Sequence, residues 1–246
     1  MGCALRIEKL TVKYGSKVAV DGLSTCVRPG ETYCLLGPNG AGKTSTIKAV
    51  LGLVKYEGTI DILGMGPPRP EVMNSVGAVL ETPLVLETLS PRDFLEFVGS
   101  VRGVGDSRYV EALVRALGLE EFIDRPIMSL SAGNRQKVAI VAALMHRPRL
   151  LLMDEPFNYL DAKSVRVVKE LMQRHLESNG SILFTTHIME VAERVCTRIG
   201  IMNAGRLVVE GTPTEIMSAV NAGTLEDAFL RAIRAEDEIK GLLEGL

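Results

Sequence analysis

An eight-residue segment near the N-terminus most strongly constrains what this chain can fold into. It reads Gly37-Pro38-Asn39-Gly40-Ala41-Gly42-Lys43-Thr44 and fits the phosphate-binding pattern G-x-x-x-x-G-K-[ST] without a gap. An apolar run at residues 33–36 precedes it, as a buried strand requires, and apolar residues at helical spacing follow it. We therefore expect its backbone amides and Lys43 to bind the phosphates of a nucleoside triphosphate and the Thr44 hydroxyl to bind Mg²⁺.

Composition excludes several classes of protein. With 246 residues, of which 46% are hydrophobic, the chain can bury the core of one large α/β domain. Its 28 basic and 30 acidic residues leave a net charge of −2 and form no dense basic tract, so we expect no nucleic-acid partner. No apolar run approaches the ~20 residues that cross a bilayer, and no apolar signal region precedes the first strand. These features predict a cytoplasmic protein.

The cysteines show no pattern of a metal site. They stand at Cys3, Cys26, Cys34 and Cys196, without a C-x-x-C pair and without histidines at zinc spacing. We expect all four to be reduced.

The order of apolar segments predicts the organisation of the chain. Two strands before residue 30 look antiparallel, whereas the strands near residues 150–153, 181–185 and 198–202 alternate with helices, as in a parallel sheet. A helical insertion is predicted over about residues 86–145 of a domain spanning residues 1–215. A C-terminal helical tail over residues 216–246 is either a docking or dimerisation element or a packed cap.

Two carboxylates follow the apolar strand at residues 150–153. Asp154 and Glu155 are adjacent, so at a strand end their side chains point in different directions and can take different roles. Alone, this pattern is typical of a solvated turn. Together with an upstream phosphate loop it predicts that Asp154 binds Mg²⁺ and Glu155 positions water, because phosphoryl transfer needs both.

Two further polar sites have an ordinary and a functional interpretation. Ser131 precedes a helix and can cap it. This capped turn either only begins the helix or also exposes backbone amides that can bind a second anion. His187 follows the strand at residues 181–186, where a histidine is either structural or within hydrogen-bonding reach of a γ-phosphate.

Taken together, these residues resemble the ATP-binding cassette (ABC) ATPases over about residues 5–213. The resemblance implies a P-loop NTPase (RecA-like) α/β fold, with a mixed sheet core, an N-terminal antiparallel β subdomain and an inserted helical subdomain. It implies that Lys43, Glu155 and His187 are catalytic, that Tyr14 stacks on adenine, and that the cofactors are ATP and Mg²⁺. The residues it implies in nucleotide binding are Tyr14, Gly37, Pro38, Asn39, Gly40, Ala41, Gly42, Lys43, Thr44, Ser45, Ser131, Gly133, Asn134 and Asp161.

The chain departs from the family pattern in two places. The signature Leu-Ser-Gly-Gly-Gln appears as residues 130–134 with Ala132 and Asn134, although Ser131 and Gly133 are kept. Glu81 replaces a glutamine that contacts Mg²⁺ in the family, so Thr44, Glu81 and Asp154 form the expected metal set. Glutamate there, the segment at residues 88–95 and the ending at residues 224–230 resemble exporters of the bacitracin and daunorubicin type.

The resemblance also implies partners. In the family two cassettes, identical or different, pair head to tail, and the signature of each completes the ATP site of the other. We therefore expect an exporter subunit on the inner face of the membrane, attached to a permease of about six helices encoded as a separate chain. A soluble iron–sulfur assembly or remodelling ATPase, and a nucleotide sensor that does not hydrolyse ATP, remain alternatives.

Overall fold

The computed structural model describes residues 2–233, which form two β-sheets with α-helices flanking or joining them. The strands are β1 (Leu5–Tyr14), β2 (Lys17–Val27), β3 (Thr32–Leu36), β4 (Glu57–Ile62), β5 (Val76–Val79), β6 (Leu150–Asp154), β7 (Ser181–Thr186), β8 (Arg198–Asn203) and β9 (Arg206–Gly211). The helices are α1 (Lys43–Val50), α2 (Pro70–Met73), α3 (Pro91–Arg102), α4 (Ser107–Ala116), α5 (Ala132–Leu144), α6 (Ala162–Glu177), α7 (Met189–Val195) and α8 (Pro213–Ala219).

The larger sheet has the strand order β5-β6-β7-β3-β8-β9 and is parallel except for β9. All residues of β3, β6 and β7 are buried, because helices cover both faces of a parallel sheet. Since these three strands are neighbours, their carboxyl ends lie side by side at one edge of the sheet.

The smaller sheet has the order β2-β1-β4 and is antiparallel, as predicted for its first two strands. Its inward side chains, among them Leu5, Ile7 and Val20, share one core with residues of β3 and α1. The core therefore runs from this sheet to the helix that follows the phosphate loop.

One expectation about the cysteines is wrong. Cys3 and Cys26 form a disulfide, with Cα atoms 5.6 Å apart, while Cys34 and Cys196 are free and buried. The β1–β2 pairing ends with Leu5 opposite Val27, and Cys3 lies just before β1, where the chain passes within bonding distance of Cys26. Sequence spacing does not reveal a strand register, so the pair could not be recognised.

A largely buried arginine connects the two sheets. Arg198, at the start of β8, lies 3.0 Å from Glu31 and 3.5 Å from Glu210 on β9, and it also donates to the backbone oxygen of Cys26 on β2. Both Arg198 and Glu31 are largely buried. This cluster keeps the antiparallel sheet in a fixed position against the central sheet.

The predicted insertion over about residues 86–145 contains α3, α4 and α5. Ser90 caps α3 by accepting from Asp93 N, and Asp106 caps α4 in the same way from Tyr109 N. Buried residues of these helices belong to the core cluster that also contains residues of β6 and β7. The division into domains stays a prediction.

The predicted tail begins inside a helix, because α8 runs across position 215/216. Residues 225–233 are helical, and Leu225, Ala228 and Phe229 are buried in the same core as the central sheet. In the described range one face of the tail therefore packs on the core, and its role stays a prediction. The rest of the predicted tail, residues 234–246, lies outside the described residues.

Candidate functional site

The phosphate-loop segment leads from β3 into α1, as predicted. Lys43 is the first residue of α1, and Gly42 before it has φ +106°, a conformation that side chains other than glycine rarely adopt. A Cβ at Gly42 would also lie 2.5 Å from the backbone oxygen of Ala19. Glycine is thus required here by conformation and by the close approach of the neighbouring strand.

The Lys43 ammonium is buried and fully engaged. Its Nζ donates to the backbone oxygens of Gly37 at 2.8 Å and Pro38 at 3.2 Å, and it lies 3.7 Å from Glu155 Oε1. Only 6% of the Lys43 side chain is exposed. The cation predicted to meet the phosphates therefore lies inside the turn of the loop, next to the carboxylate predicted to position water.

An open cleft of about 320 Å³ lies over this loop. It unites predicted residues from four separate segments: the aromatic Tyr14, the loop itself, Glu81 and Glu155. Its lining consists of Tyr14, Lys17, Ala19, Asn39, Gly40, Ala41, Gly42, Lys43, Thr44, Ser45, Glu81 and Glu155. Tyr14 is 47% exposed, so its ring is accessible to a planar ligand at the mouth of the cleft.

Asp154, at the end of β6, is fully buried. Its Oδ1 accepts a hydrogen bond from Thr185 Oγ1 at 2.6 Å, whereas its Oδ2 is buried without a hydrogen-bond partner among residues 2–233. A buried carboxylate oxygen without a partner is costly unless a cation or donor meets it. The donor set nearby, a hydroxyl and carboxylates, is of the kind that Mg²⁺ prefers.

Glu155 follows directly and has a strained backbone, with φ +48°. Its amide donates to Thr185 Oγ1 at 3.1 Å, and its Oε1 lies 3.0 Å from His187 Nδ1. The Glu155 side chain is 7% exposed, while that of His187 is 46% exposed. The structure thus brings the three predicted catalytic residues Lys43, Glu155 and His187 together around one carboxylate oxygen.

The signature residues lie elsewhere. Ser131 is exposed and caps α5 by accepting from Asn134 N at 3.2 Å, and Gly133 lies in the first turn of α5. Among the described residues that line the cleft, none belongs to the signature segment. The chain therefore presents this turn away from its own phosphate loop.

Asp161 caps α6, and both of its carboxylate oxygens accept hydrogen bonds at the start of that helix. Oδ1 accepts from Ser164 N at 2.8 Å and Oδ2 accepts from Ser164 Oγ at 2.9 Å. These hydrogen bonds, with Lys137 nearby, lower the pKa of Asp161 to about 2. The nucleotide-binding role predicted for Asp161 stays a prediction.

Sequence reasoning missed Thr185. It links the two acidic residues, since its hydroxyl donates to the Asp154 carboxylate and accepts from the Glu155 backbone amide. The available signal was a polar residue inside an apolar strand, two positions before His187. A buried threonine in a strand is also an ordinary β-former, so the pattern alone did not distinguish the two.

Comparison with known proteins places these features in a family. The family model described as ABC transporter matches residues 20–158. The linearmycin resistance ATP-binding protein LnrL of Bacillus subtilis is 34% identical over 94% of this chain and 79% of that protein. The Nod factor export ATP-binding protein I of Paraburkholderia xenovorans is 34% identical over 98% and 82%. The bacitracin transport ATP-binding protein BcrA of Bacillus licheniformis is 32% identical over 85% and 70%.

Solved structures of ABC transporter cassettes have a similar fold. The ATP-binding subunit of an ABC transporter superposes with a TM-score of 0.88 at 28% identity, covering 94% of this chain and 99% of that one. A nucleotide-free ATP-binding cassette from an ABC transporter has a TM-score of 0.75 at 20% identity, over 92% and 98%. These matches confirm the predicted fold class.

Proposed function

Because the chain belongs to the ABC transporter family and is an ATP-binding ATPase of that family, we propose that it powers an exporter. In this proposal it pairs head to tail with a second cassette, identical or not, and acts on a separate membrane permease. One observation carries the pairing. The cleft unites Lys43, Glu81 and Glu155 but excludes the exposed signature turn at Ser131. Each chain therefore supplies the phosphate-loop half of one nucleotide site and the signature half of another.

The chain's own residues account for most of the chemistry. Lys43 and the amides at the start of α1 stabilise the negative charge that develops on the γ-phosphate. Glu155 orients the attacking water and accepts its proton, and its burial excludes competing solvent. His187 hydrogen bonds to Glu155 Oε1, so it fixes the orientation of that carboxylate and can reach toward the phosphate.

A magnesium ion fits the same place. Asp154 Oδ2 is buried without a partner among the described residues, and Thr44 and Glu81 offer a hydroxyl and a carboxylate from the cleft lining. Among residues 2–233 no cluster of three or more Cys, His, Asp or Glu is placed to bind a metal, so the remaining ligands would come from phosphate and water, as is usual for Mg²⁺. When bound, Mg²⁺ neutralises charge on the phosphate oxygens.

A second cleft supports the membrane partner. This coupling groove, of about 390 Å³, lies between the central sheet and α3, and its lining includes Leu53, Leu84, Phe94, Val98 and Arg102. Leu84 is 70% exposed. An exposed apolar groove of this kind suits an amphipathic helix laid into it, which we assign to a cytoplasmic loop of the permease.

Two observations support export rather than import. The relatives named above carry the words resistance, export and transport in their names. Glu81 lines the nucleotide cleft at the position where the exporter branch has glutamate. No helix within residues 2–233 is long and apolar enough to cross a membrane, and we propose that the chain reaches the inner face of the membrane through its permease. No observation favours the assembly or remodelling alternative.

The test is a pull-down from detergent-solubilised membranes with a Glu155→Gln bait and ATP. We expect recovery of a protein with about six membrane-spanning helices, together with a second cassette or a second copy of the bait. The matched control adds Leu84→Glu, which places a charge in the coupling groove and should lose the membrane protein while keeping the second cassette. Recovery of the same membrane protein with both baits would refute the role of the coupling groove in binding the permease. Recovery of no membrane protein with either bait would refute the transporter role.

A further inference from the structure

A further cavity, of about 610 Å³, lies between α3 and α4. We call it the helical pocket; one face of α3, within residues 92–100, and one face of α4, within residues 107–115, form its sides. Within residues 2–233 its lining shares no residue with the nucleotide cleft or with the coupling groove. Phe94 and Val98 of α3 line the coupling groove, so this helix separates the two cavities. Neither the nucleotide cleft nor the coupling groove accounts for the helical pocket.

The floor of the helical pocket is apolar and buried. Leu95, Val114 and Met145 belong to its lining and are at most 8% exposed, and the half-buried Val110 lies beside them. A Cβ at Gly99 would lie 3.3 Å from the methyl carbon of Met145, so the glycine leaves the space over this methionine open. The floor can therefore bury a compact organic body.

Chain segments close both ends of the pocket. Val104 and Gly105, in the short connection between α3 and α4, line one end, and Glu120 and Ile123 line the other. The backbone oxygen of Ile123 accepts from Arg92 N at 3.0 Å, which attaches this second end to the start of α3. The lining stretch of each helix is only about 12 Å long. A short pocket with two closed ends suits a small molecule and leaves no path for a helix to run through.

The two arginines at the rim are already paired. Arg92 donates to both carboxylate oxygens of Asp124, at 2.7 and 3.3 Å, and Arg115 Nε donates to Glu120 at 3.4 Å. Each arginine thus pairs with an acidic residue outside its own helix. The rim therefore offers no uncommitted arginine to an anion.

Two exposed glutamates of the rim are left without such partners. Glu96 stands four residues after Arg92 on α3, and Glu111 stands four residues before Arg115 on α4, the spacing at which helical ion pairs form. Since both arginines are engaged elsewhere, neither glutamate carboxylate has an ion-pair or hydrogen-bond partner within residues 2–233. Each glutamate lies midway along the lining stretch of its helix. The uncompensated charge of the rim is negative on both sides, and its complement is a cation.

We propose that the helical pocket binds a small amphipathic cation. The apolar body of this ligand lies on the floor formed by Leu95, Val114 and Met145. Its positive charge lies at the rim, near Glu96 and Glu111, where opposite charges attract. This binding needs neither ATP nor a permease, so its test does not depend on the proposed function.

The probes are two ions of the same shape and opposite charge. Tetraphenylphosphonium is the cation and tetraphenylborate is the anion, and both are titrated by calorimetry into the purified full-length chain, without nucleotide, in a potassium-free buffer. We expect saturable binding of one cation per chain. The anion, which meets the same apolar floor but the wrong charge, should bind at least about tenfold more weakly.

Matched variants separate the charge of the rim from the shape of the floor. Glu96→Gln combined with Glu111→Gln keeps the side-chain volumes and should weaken binding of the cation about fivefold. Glu193→Gln, on the exposed face of α7, removes a carboxylate far along the chain and should bind as the wild type does. Gly99→Leu fills the space over Met145 and should abolish binding. If the Leu variant does not fold, the glutamine variants still decide, because both changes are on the surface.

A methyl signal locates the bound cation. In protein labelled with ¹³C-methyl methionine, the Met145 resonance, assigned with Met145→Leu, should shift until the cation saturates the site. Equal affinity for cation and anion, wild-type affinity in the double glutamine variant, or a shift confined to other methionines would overturn the proposal. Absence of saturable binding would overturn it as well and would point to a macromolecule as the occupant.

Discussion

Thr185 donates its hydroxyl hydrogen bond to Asp154 at 2.6 Å and leaves the other carboxylate oxygen of Asp154 without a partner among the described residues. The threonine thereby fixes the carboxylate so that one particular oxygen, Oδ2, stays available for a cation. The same hydroxyl accepts from the Glu155 amide. One buried side chain thus orients both acidic residues.

Replacing Thr185 with Val should show whether its hydroxyl contributes to stability and to metal binding. The change keeps the volume but leaves Asp154 Oδ1 unsatisfied, so we expect the free energy of unfolding to fall by about 1–3 kcal/mol. We also expect a higher Mg²⁺ concentration for half-maximal ATPase activity. Thr185→Ser, which keeps the hydroxyl, is the control and should restore the Mg²⁺ dependence. A Val variant with wild-type Mg²⁺ dependence would remove Thr185 from the site.

Replacing Glu155 with Gln should preserve ATP binding and slow turnover. Losing the proton acceptor typically costs ~10²–10⁴ in rate, and the variant should accumulate as an ATP-bound dimer. Phosphate release and size-exclusion chromatography with ATP measure the two effects. Glu170→Gln, on the exposed face of α6, should behave as wild type. Near-normal turnover in Glu155→Gln would exclude it as the residue that activates water.

Replacing Lys43 with Ala should abolish nucleotide binding itself. The side chain is buried among loop carbonyls, and no other cation is among the residues of the loop. Equilibrium binding of a fluorescent ATP analogue checks this. Lys48→Ala, in the last turn of the same helix, is the matched control and should bind normally. Tight binding by the Lys43 variant would contradict the assignment of the loop.

Replacing Glu81 with Gln tests the unusual carboxylate of the cleft. A carboxylate binds Mg²⁺ more strongly than an amide, so the variant should require more Mg²⁺ and respond less to the permease. ATPase activity titrated with Mg²⁺, with and without the partner in membranes, gives both numbers. Unchanged values in both titrations would mean that Glu81 neither binds metal nor transmits a signal.

The stability of the fold should fall below neutral pH because two histidines are partly buried. Burial lowers the pKa of His175 and of His146, with Arg102 contributing at His146. The unfolded chain then binds more protons than the folded one below about pH 6.5, so stability is full above that pH and is lost as the pH decreases. Urea unfolding between pH 5 and 8 should show this slope, and His175→Gln should reduce it. A flat profile in the wild type would contradict the burial argument.

Sequence patterns predicted the strand, loop and helix around Lys43 and the strand that ends at Asp154, because each follows from local periodicity and residue type. They did not predict β4, in which only Ile60 and Ile62 are buried, or the Cys3–Cys26 disulfide, which depends on how two strands pair and not on local pattern. Thr185 was missed for a different reason: its function lies in contacts made across two strands.

The resting position of Lys43 has a thermodynamic consequence. Its ammonium already has two carbonyl oxygens and a carboxylate within 3.7 Å, so meeting a phosphate exchanges one set of oxygen neighbours for another. The affinity that this lysine contributes is the difference between two states in which oxygen atoms surround the cation, rather than the full energy of an ion pair. The same exchange draws Lys43 away from Glu155 Oε1, now 3.7 Å from its ammonium, so that occupation of the site by phosphate would itself free this carboxylate oxygen to hydrogen bond to water.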